Sequence, residues 1–149
     1  MKRGLIITLI IVLVVIVLAV VGYLIIHSQN SPYKLSSTNI MNPVDYVFPG
    51  GIKQTALSYY GEGANYNILV LEFENEQGAI NGISNMTNQY NPAMIGLAGK
   101  YVKFKEESPG NYMYFYKSGK NIIFIENFVG DKNLADSFIT WLYSKYPNK

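Results

Sequence analysis

The strongest pattern along the chain is an unbroken apolar run, "LIITLIIVLVVIVLAVVGYLII", 22 residues from Leu5 to Ile26 without a charge. At about 1.5 Å per residue, a helix of this length spans roughly 33 Å, close to the hydrocarbon thickness of a bilayer. Lys2 and Arg3 precede it, which under the positive-inside rule leaves the N-terminus in the cytoplasm and residues 27–149 outside. The pattern predicts a signal anchor or transmembrane helix over residues 1–26, hence a single-pass cell-membrane protein with an extracytoplasmic C-terminal domain and the lipid bilayer as the partner of residues 5–26. A cleaved signal peptide is the competing reading. Its apolar stretch is usually about 7–15 residues with a small-residue cleavage site, and "AVVGYLII" is a poor one.

Beyond the run the pattern changes twice. Residues 27–43, "HSQNSPYKLSSTNIMNP", are polar and carry two prolines, which reads as a linker. Residues 44–149 then carry domain-like periodicities. "TALSYY" and "YNILVLEFE" flank the turn-rich "GEGAN" as a hairpin. "NEQGAINGISNMTNQY" has Ala79, Ile80, Ile83, Met86 and Tyr90 at helical spacing, weakened by Gly78 and Gly82. "NPAMIGLAG" reads as a loop. "KYVKFKE", "NYMYFYK" and "NIIFIENF", with turns at "SPGN" and "KSGK", read as a meander. A last helix, with Leu134, Phe138, Trp141 and Leu142 on one stripe, is capped by Asp131 and stopped by Pro147. The two halves echo each other as hairpin-then-helix units. The expected fold class is α+β: an N-terminal transmembrane helix, then an antiparallel sheet of about five strands with two helices packed on one face.

Alternation along the strands assigns the faces. Leu57, Leu69, Leu71, Phe73, Val102, Phe104, Met113, Phe115, Ile123 and Ile125 form the expected helix-covered face. The opposite face then holds Ile68, Val70, Glu72, Tyr101, Lys103, Lys105, Tyr112, Tyr114, Tyr116, Ile122, Phe124 and Glu126. Tyrosine has an apolar ring and a polar tip, so it suits a surface that is partly wet. Three readings of the row stay open: a half-solvated ladder, a face covered by the segment Val44–Ile52, and a partner surface. On the last, the candidate contact residues are Tyr101, Lys103, Lys105, Tyr112, Tyr114, Tyr116 and Phe124.

Composition and charge remove several function classes. Setting Lys2 and Arg3 aside leaves ten basic and ten acidic residues, so the outer part is neutral and carries no basic footprint for nucleic acid. There is no cysteine, hence no disulfide framework. The single histidine, His27, borders the apolar run. Zinc, haem and His-dependent triads have no ligand set. No nucleophile elbow, phosphate loop or dinucleotide fingerprint is present. Glu72 with Glu126, or Glu106 with Glu107, are the carboxylate pairs to weigh against glycoside chemistry, and acidic strand ends more simply aid solubility. The expectation is no enzyme activity and no cofactor. "NMT" makes Asn85 a candidate N-glycosylation acceptor.

"MKRG" before a long apolar helix resembles a type IV prepilin leader, although no glutamate sits early in the run and Ser31-Pro32 interrupts a stalk helix. Over about 100 residues, the acidic, aromatic "LEFE" hairpin, helix, meander and C-terminal helix resemble uncharacterised small single-pass membrane-anchored archaeal and bacterial proteins with an extracytoplasmic α+β domain. That resemblance implies a location and a fold and no activity. The functional expectation is a membrane-anchored extracytoplasmic binding or accessory module, with a protein partner on the open sheet face. A pilin-like filament subunit is the alternative, and an enzyme of unrecognised type comes third.

Overall fold

The computed structural model describes residues 12–21, 31–41, 48–97 and 99–147. The chain divides into two units, residues 1–32 and 33–149. In the first, residues 12–21 form a helix, α1, whose side chains are exposed. No helix among the described residues is long and apolar enough to cross a membrane. This corrects the expected transmembrane helix, the signal anchor, and the single-pass cell-membrane location drawn from them. Residues 5–11 and 22–26 of the expected span lie outside the described residues, as does His27.

The second unit is built on one antiparallel sheet of seven strands. In chain order these are β1 (Lys34–Met41), β2 (Gly51–Gly61), β3 (Ala64–Phe73), helix α2 (Glu76–Tyr90), β4 (Ala93–Leu97), β5 (Lys100–Ser108), β6 (Asn111–Ser118), β7 (Asn121–Val129) and helix α3 (Lys132–Lys145). Across the sheet the order is β1-β2-β3-β7-β6-β5-β4. Local chemistry sets the punctuation. The β2–β3 loop is Glu62-Gly63 with positive φ at both residues, 51° and 78°, the geometry of a type I′ hairpin turn. Asn75 caps α2 by accepting from the Gly78 amide, and Asp131 caps α3 by accepting from the Asn133 amide.

Two of the seven strands fall where none was expected. β1 occupies the Ser-rich stretch read as linker, and β4 the stretch read as a loop. Both are edge strands. All eight residues of β1 are exposed, so it lacks the in–out alternation that marks a strand in sequence.

The second correction concerns the faces: each carries its own helix. On the α3 face, Leu57, Tyr59, Tyr66, Ile68, Val102, Tyr112, Tyr114, Tyr116, Ile123, Ile125 and Phe128 pack with Ala135, Phe138, Ile139, Leu142 and Tyr143. On the α2 face, Leu71, Phe73, Met113, Phe115, Ile122 and Phe124 pack with Ala79, Met86 and Phe48. The expected face sets had joined half of each core. Pairing of Val70 with Ile123 and of Leu71 with Ile122 fixes the register between the hairpins, whereas the expected set had put Leu71 on one face with Ile123, an odd step away. Because side chains alternate, such a slip exchanges the two faces.

A bulge in β7 explains why the second helix crosses to the other side. Tyr112 pairs with Phe128 and Tyr114 with Ile125, so Glu126 and Asn127 stand together opposite Met113. The extra residue reverses the alternation. Phe128 then points to the α3 face, stacked on Tyr66 at 5.1 Å and 7°. Tyr66 in turn stacks on Phe138 at 4.1 Å.

Gly82 gives a test of the α2 packing. A Cβ there would lie 2.7 Å from Phe73 Cζ and 2.8 Å from Ile122 Cδ1. Gly82→Ala should therefore destabilise by about 1–3 kcal/mol from overpacking, although alanine favours a helix by about 1 kcal/mol. On the opposite face, Phe138→Ala should cost about 3–5 kcal/mol and exceed Trp141→Ala, because Phe138 is buried and Trp141 only partly so. Urea unfolding of the variants measures all three. A stabilising Gly82→Ala would contradict the contact between α2 and Phe73.

Candidate functional site

The structure disperses the residues expected to form one partner surface. Tyr112, Tyr114 and Tyr116 lie in the core beneath α3. Phe124 lies in the core beneath α2. Tyr101 stays 71 % exposed, and Lys103 and Lys105 stand beside it at two-residue steps, half-buried. Lys103 pairs across the strands with the exposed Met94. The open tyrosine face therefore does not exist. Of the segment Val44–Ile52 offered as its cover, residues 44–47 lie outside the described residues, and Phe48 packs on the other face against Phe124 at 6.0 Å.

Each buried tyrosine hydroxyl shows its environment. Tyr114 donates to Asp136 Oδ1 at 2.7 Å, and Lys132 pairs with the other oxygen of the same carboxylate. Burial, then the bond to Asp136 and its charge, push the Tyr114 phenol well above its usual range. Tyr33 donates to Glu62 Oε2 at 2.7 Å. Burial first, then Glu62, raise its phenol likewise. Tyr116 stacks on Tyr143 at 4.6 Å; its phenol is also raised, chiefly by burial. The Tyr116 hydroxyl has no hydrogen-bond partner among the described residues. These are properties of a core. They explain the row that alternation alone made look like a surface.

The part of the sheet left open lies on the α2 face, beside that helix. β3 and β7 pair only from Leu69↔Phe124 to Glu72↔Asn121. Beyond Leu69 the strands are no longer paired, and the Tyr66–Phe128–Phe138 stack lies at that end of β3 and β7 on the α3 side. On the α2 side the same region is a groove of about 320 Å³ lined by Ala56, Ser58, Asn67, Leu69, Glu126 and Asn127, among others. A second depression of about 440 Å³ is lined by Tyr90, Lys105, Glu107, Asn111, Met113, Glu126 and Asn127. The two share Glu126 and Asn127, the bulged pair, and so adjoin at β7.

The groove's lining is mixed. Lys105 and Glu107 pair with each other at 3.2 Å. Ser58 donates to Asn67 Oδ1 at 2.7 Å. Asn111 holds a buried side-chain oxygen without a hydrogen-bond partner among the described residues, which costs free energy unless something donates to it. Of the expected contact residues only Lys105 lines this groove. Asn127 was missed, and Glu126, expected on the open face, was not among the contact residues, because their joint placement depends on the bulge. The sequence signal was the polar pair "EN" interrupting "NIIFIENF". Among the described residues no group of three His, Cys, Asp or Glu side chains is placed to hold a metal ion. Asn85 is exposed on α2, and the Thr87 hydroxyl of its "NMT" pattern donates to the Ile83 carbonyl at 2.8 Å.

The two hydroxyl environments predict opposite substitution effects. Tyr114→Phe removes a bond to a charged acceptor and should cost about 1.5–3 kcal/mol, whereas Tyr116→Phe removes an unpaired buried hydroxyl and should be neutral or stabilising. Chemical denaturation distinguishes them; equal losses would contradict the assignment. The raised phenols also set a pH dependence. Their neutral form is favoured in the fold, so the stabilisation is complete below the ordinary value of 10 and is lost as the pH rises beyond it. Phenolate absorbance at 295 nm from these rings should appear in one cooperative step with loss of the fold, above pH 10. An intact fold with every tyrosine ionised would contradict it. Comparison of the chain with protein-family models, curated proteins and solved structures finds no match.

Proposed function

We propose that the chain is a binding module that takes an extended segment of a protein partner along the groove on the α2 face. The observation that carries this reading is the exposed polar pair Glu126 and Asn127, set together at the centre of the open α2-side surface by a strand bulge. Bulges re-aim side chains and recur next to functional sites. A peptide backbone offers N–H donors to the Glu126 carboxylate and the Asn127 side-chain oxygen, and its alternating side chains meet the apolar stations Leu69, Met113 and Tyr90. Two adjoining open depressions suit an extended chain better than a compact small molecule, which is usually enclosed on most sides.

The test uses random dodecapeptides displayed on phage and selected against the full-length chain. Selected peptides should bind the wild-type chain and weaken by about tenfold or more on Glu126→Lys or Asn111→Leu, in the range expected for central contacts. Circular dichroism should report an unchanged fold, because Glu126 is exposed. Peptides that bind these variants as tightly as the wild-type chain would place recognition elsewhere and overturn the reading. So would a selection that enriches none.

A further inference from the structure

The free edge of β1 is self-complementary, and we infer that two copies of this chain join through it, pairing β1 antiparallel with β1 about a two-fold axis at Thr38. β1 is the first strand in the sheet order and pairs only with β2. Its other border carries backbone N–H and C=O groups without a neighbouring strand among the described residues. All eight of its residues are exposed, including Leu35 at 51 % and Ile40 at 63 %. Long exposed edges are usually blunted by charge, proline or shortness. β1 has no proline and a single charge, Lys34, at one end. β4, the other edge, is short, at five residues.

The occupant follows from the register. A two-fold axis perpendicular to a sheet keeps each copy's faces on the same sides, so residues that meet across it must share a face. Leu35 pairs with Tyr59, Thr38 with Leu57 and Ile40 with Thr55, which places all three on the α3 face. Ser37 pairs with Ser58, Asn39 with Ala56 and Met41 with Gln54, on the α2 face. Leu35 and Ile40 are an odd number of residues apart and share a face only because Ser36 is the extra residue of a bulge between Leu35 and Ser37. With the axis at Thr38, each Ile40 meets the Leu35 of the second copy. Each Asn39 meets a Ser37, each Met41 meets a Lys34, and the two Thr38 residues meet each other. Without the bulge, Ile40 would meet Ser36 and Leu35 would turn to the other face.

The central pairs are apolar on apolar, at Ile40 with Leu35, and polar on polar, at Asn39 with Ser37 and Thr38 with Thr38, of the kind that stabilises antiparallel ladders, and only the end pair of Met41 with Lys34 is mixed. It is isologous, as a closed dimer requires. The two lysines fall at opposite ends, roughly 20 Å apart at about 3.3 Å per residue, so no like charges meet. The product is one sheet continuous through both copies.

Thr38 lies on the axis and is exposed, so a charge there tests the contact with little effect on the fold. The full-length chain in non-ionic detergent should behave as a dimer of about 34 kDa protein mass by light scattering, twice the 16.8 kDa of one chain. Thr38→Lys and Thr38→Asp should each weaken dimerisation by at least about tenfold, while an equimolar mixture restores a mixed dimer. The chain has no native cysteine. Thr38→Cys should therefore form an intermolecular disulfide on mild oxidation, since paired Cα atoms lie about 4.5–5.5 Å apart, within disulfide reach. Lys34→Cys, on the same strand, should not. A monomeric wild-type chain overturns the inference. So does a dimer indifferent to both charges, a mixture that fails to recover, or equal crosslinking at positions 34 and 38.

Discussion

The structure depends on a sheet whose central strands are apolar on both sides. In β6, Tyr112 to Tyr116 are five consecutive buried residues, and in β7 Ile122 to Ile125 are four. A strand of this kind cannot leave either face to water without exposing several large side chains, each worth about 1.5–3 kcal/mol of burial. One helix covers one face, so two helices must separate, one to each side. The order of the sheet answers the same demand. β3, β7 and β6, with the densest apolar content, take the middle, while β1 and β4 fall at the edges.

The β7 bulge links that constraint to the candidate site. One extra residue turns Phe128 into the α3 core and leaves Glu126 and Asn127 on the open side. β3 and β7 cease to pair beyond Leu69 and Phe124, with the Tyr66 stack at that end on one face and the groove on the other. Packing and recognition are thus two sides of one local departure from a regular ladder. Tyr33 extends the arrangement beyond the sheet. Its ring packs on Tyr66, Phe138 and Trp141, and its hydroxyl reaches Glu62, whose positive φ the hairpin turn imposes.

Much of this was legible in the sequence, residue by residue. The caps Asn75 and Asp131 mark α2 and α3, and "GEGAN", "SPGN" and "KSGK" mark the hairpin turns of β2–β3, β5–β6 and β6–β7. The faces were harder to read because alternation separates the two sides of one strand but does not say which side of its neighbour it joins. The expected set was out of step at four strand pairs, where Leu57 meets Ile68, Leu71 meets Ile122, Phe104 meets Tyr114 and Phe115 meets Phe124. A signal was nevertheless present. "YMYFY" and "IIFI" are continuous apolar runs, and such runs denote burial on both faces. β1 was not legible, since "KLSSTNIM" carries neither alternation nor a buried residue and is held in the sheet by its pairing with β2. Nor was the groove, which exists only once the bulge has placed Glu126 beside Asn127.

Tyrosine nitration with tetranitromethane, mapped by peptide mass spectrometry on the folded chain, tests the two-faced core most directly. Tyr60 and Tyr101, at 52 % and 71 % exposure, should be modified readily, while Tyr114 and Tyr116, at 0 % and 3 %, should stay unmodified until the chain is unfolded. Nitration of Tyr114 and Tyr116 in the folded chain at the rate of Tyr101 would contradict the placement of α3 over the tyrosine row.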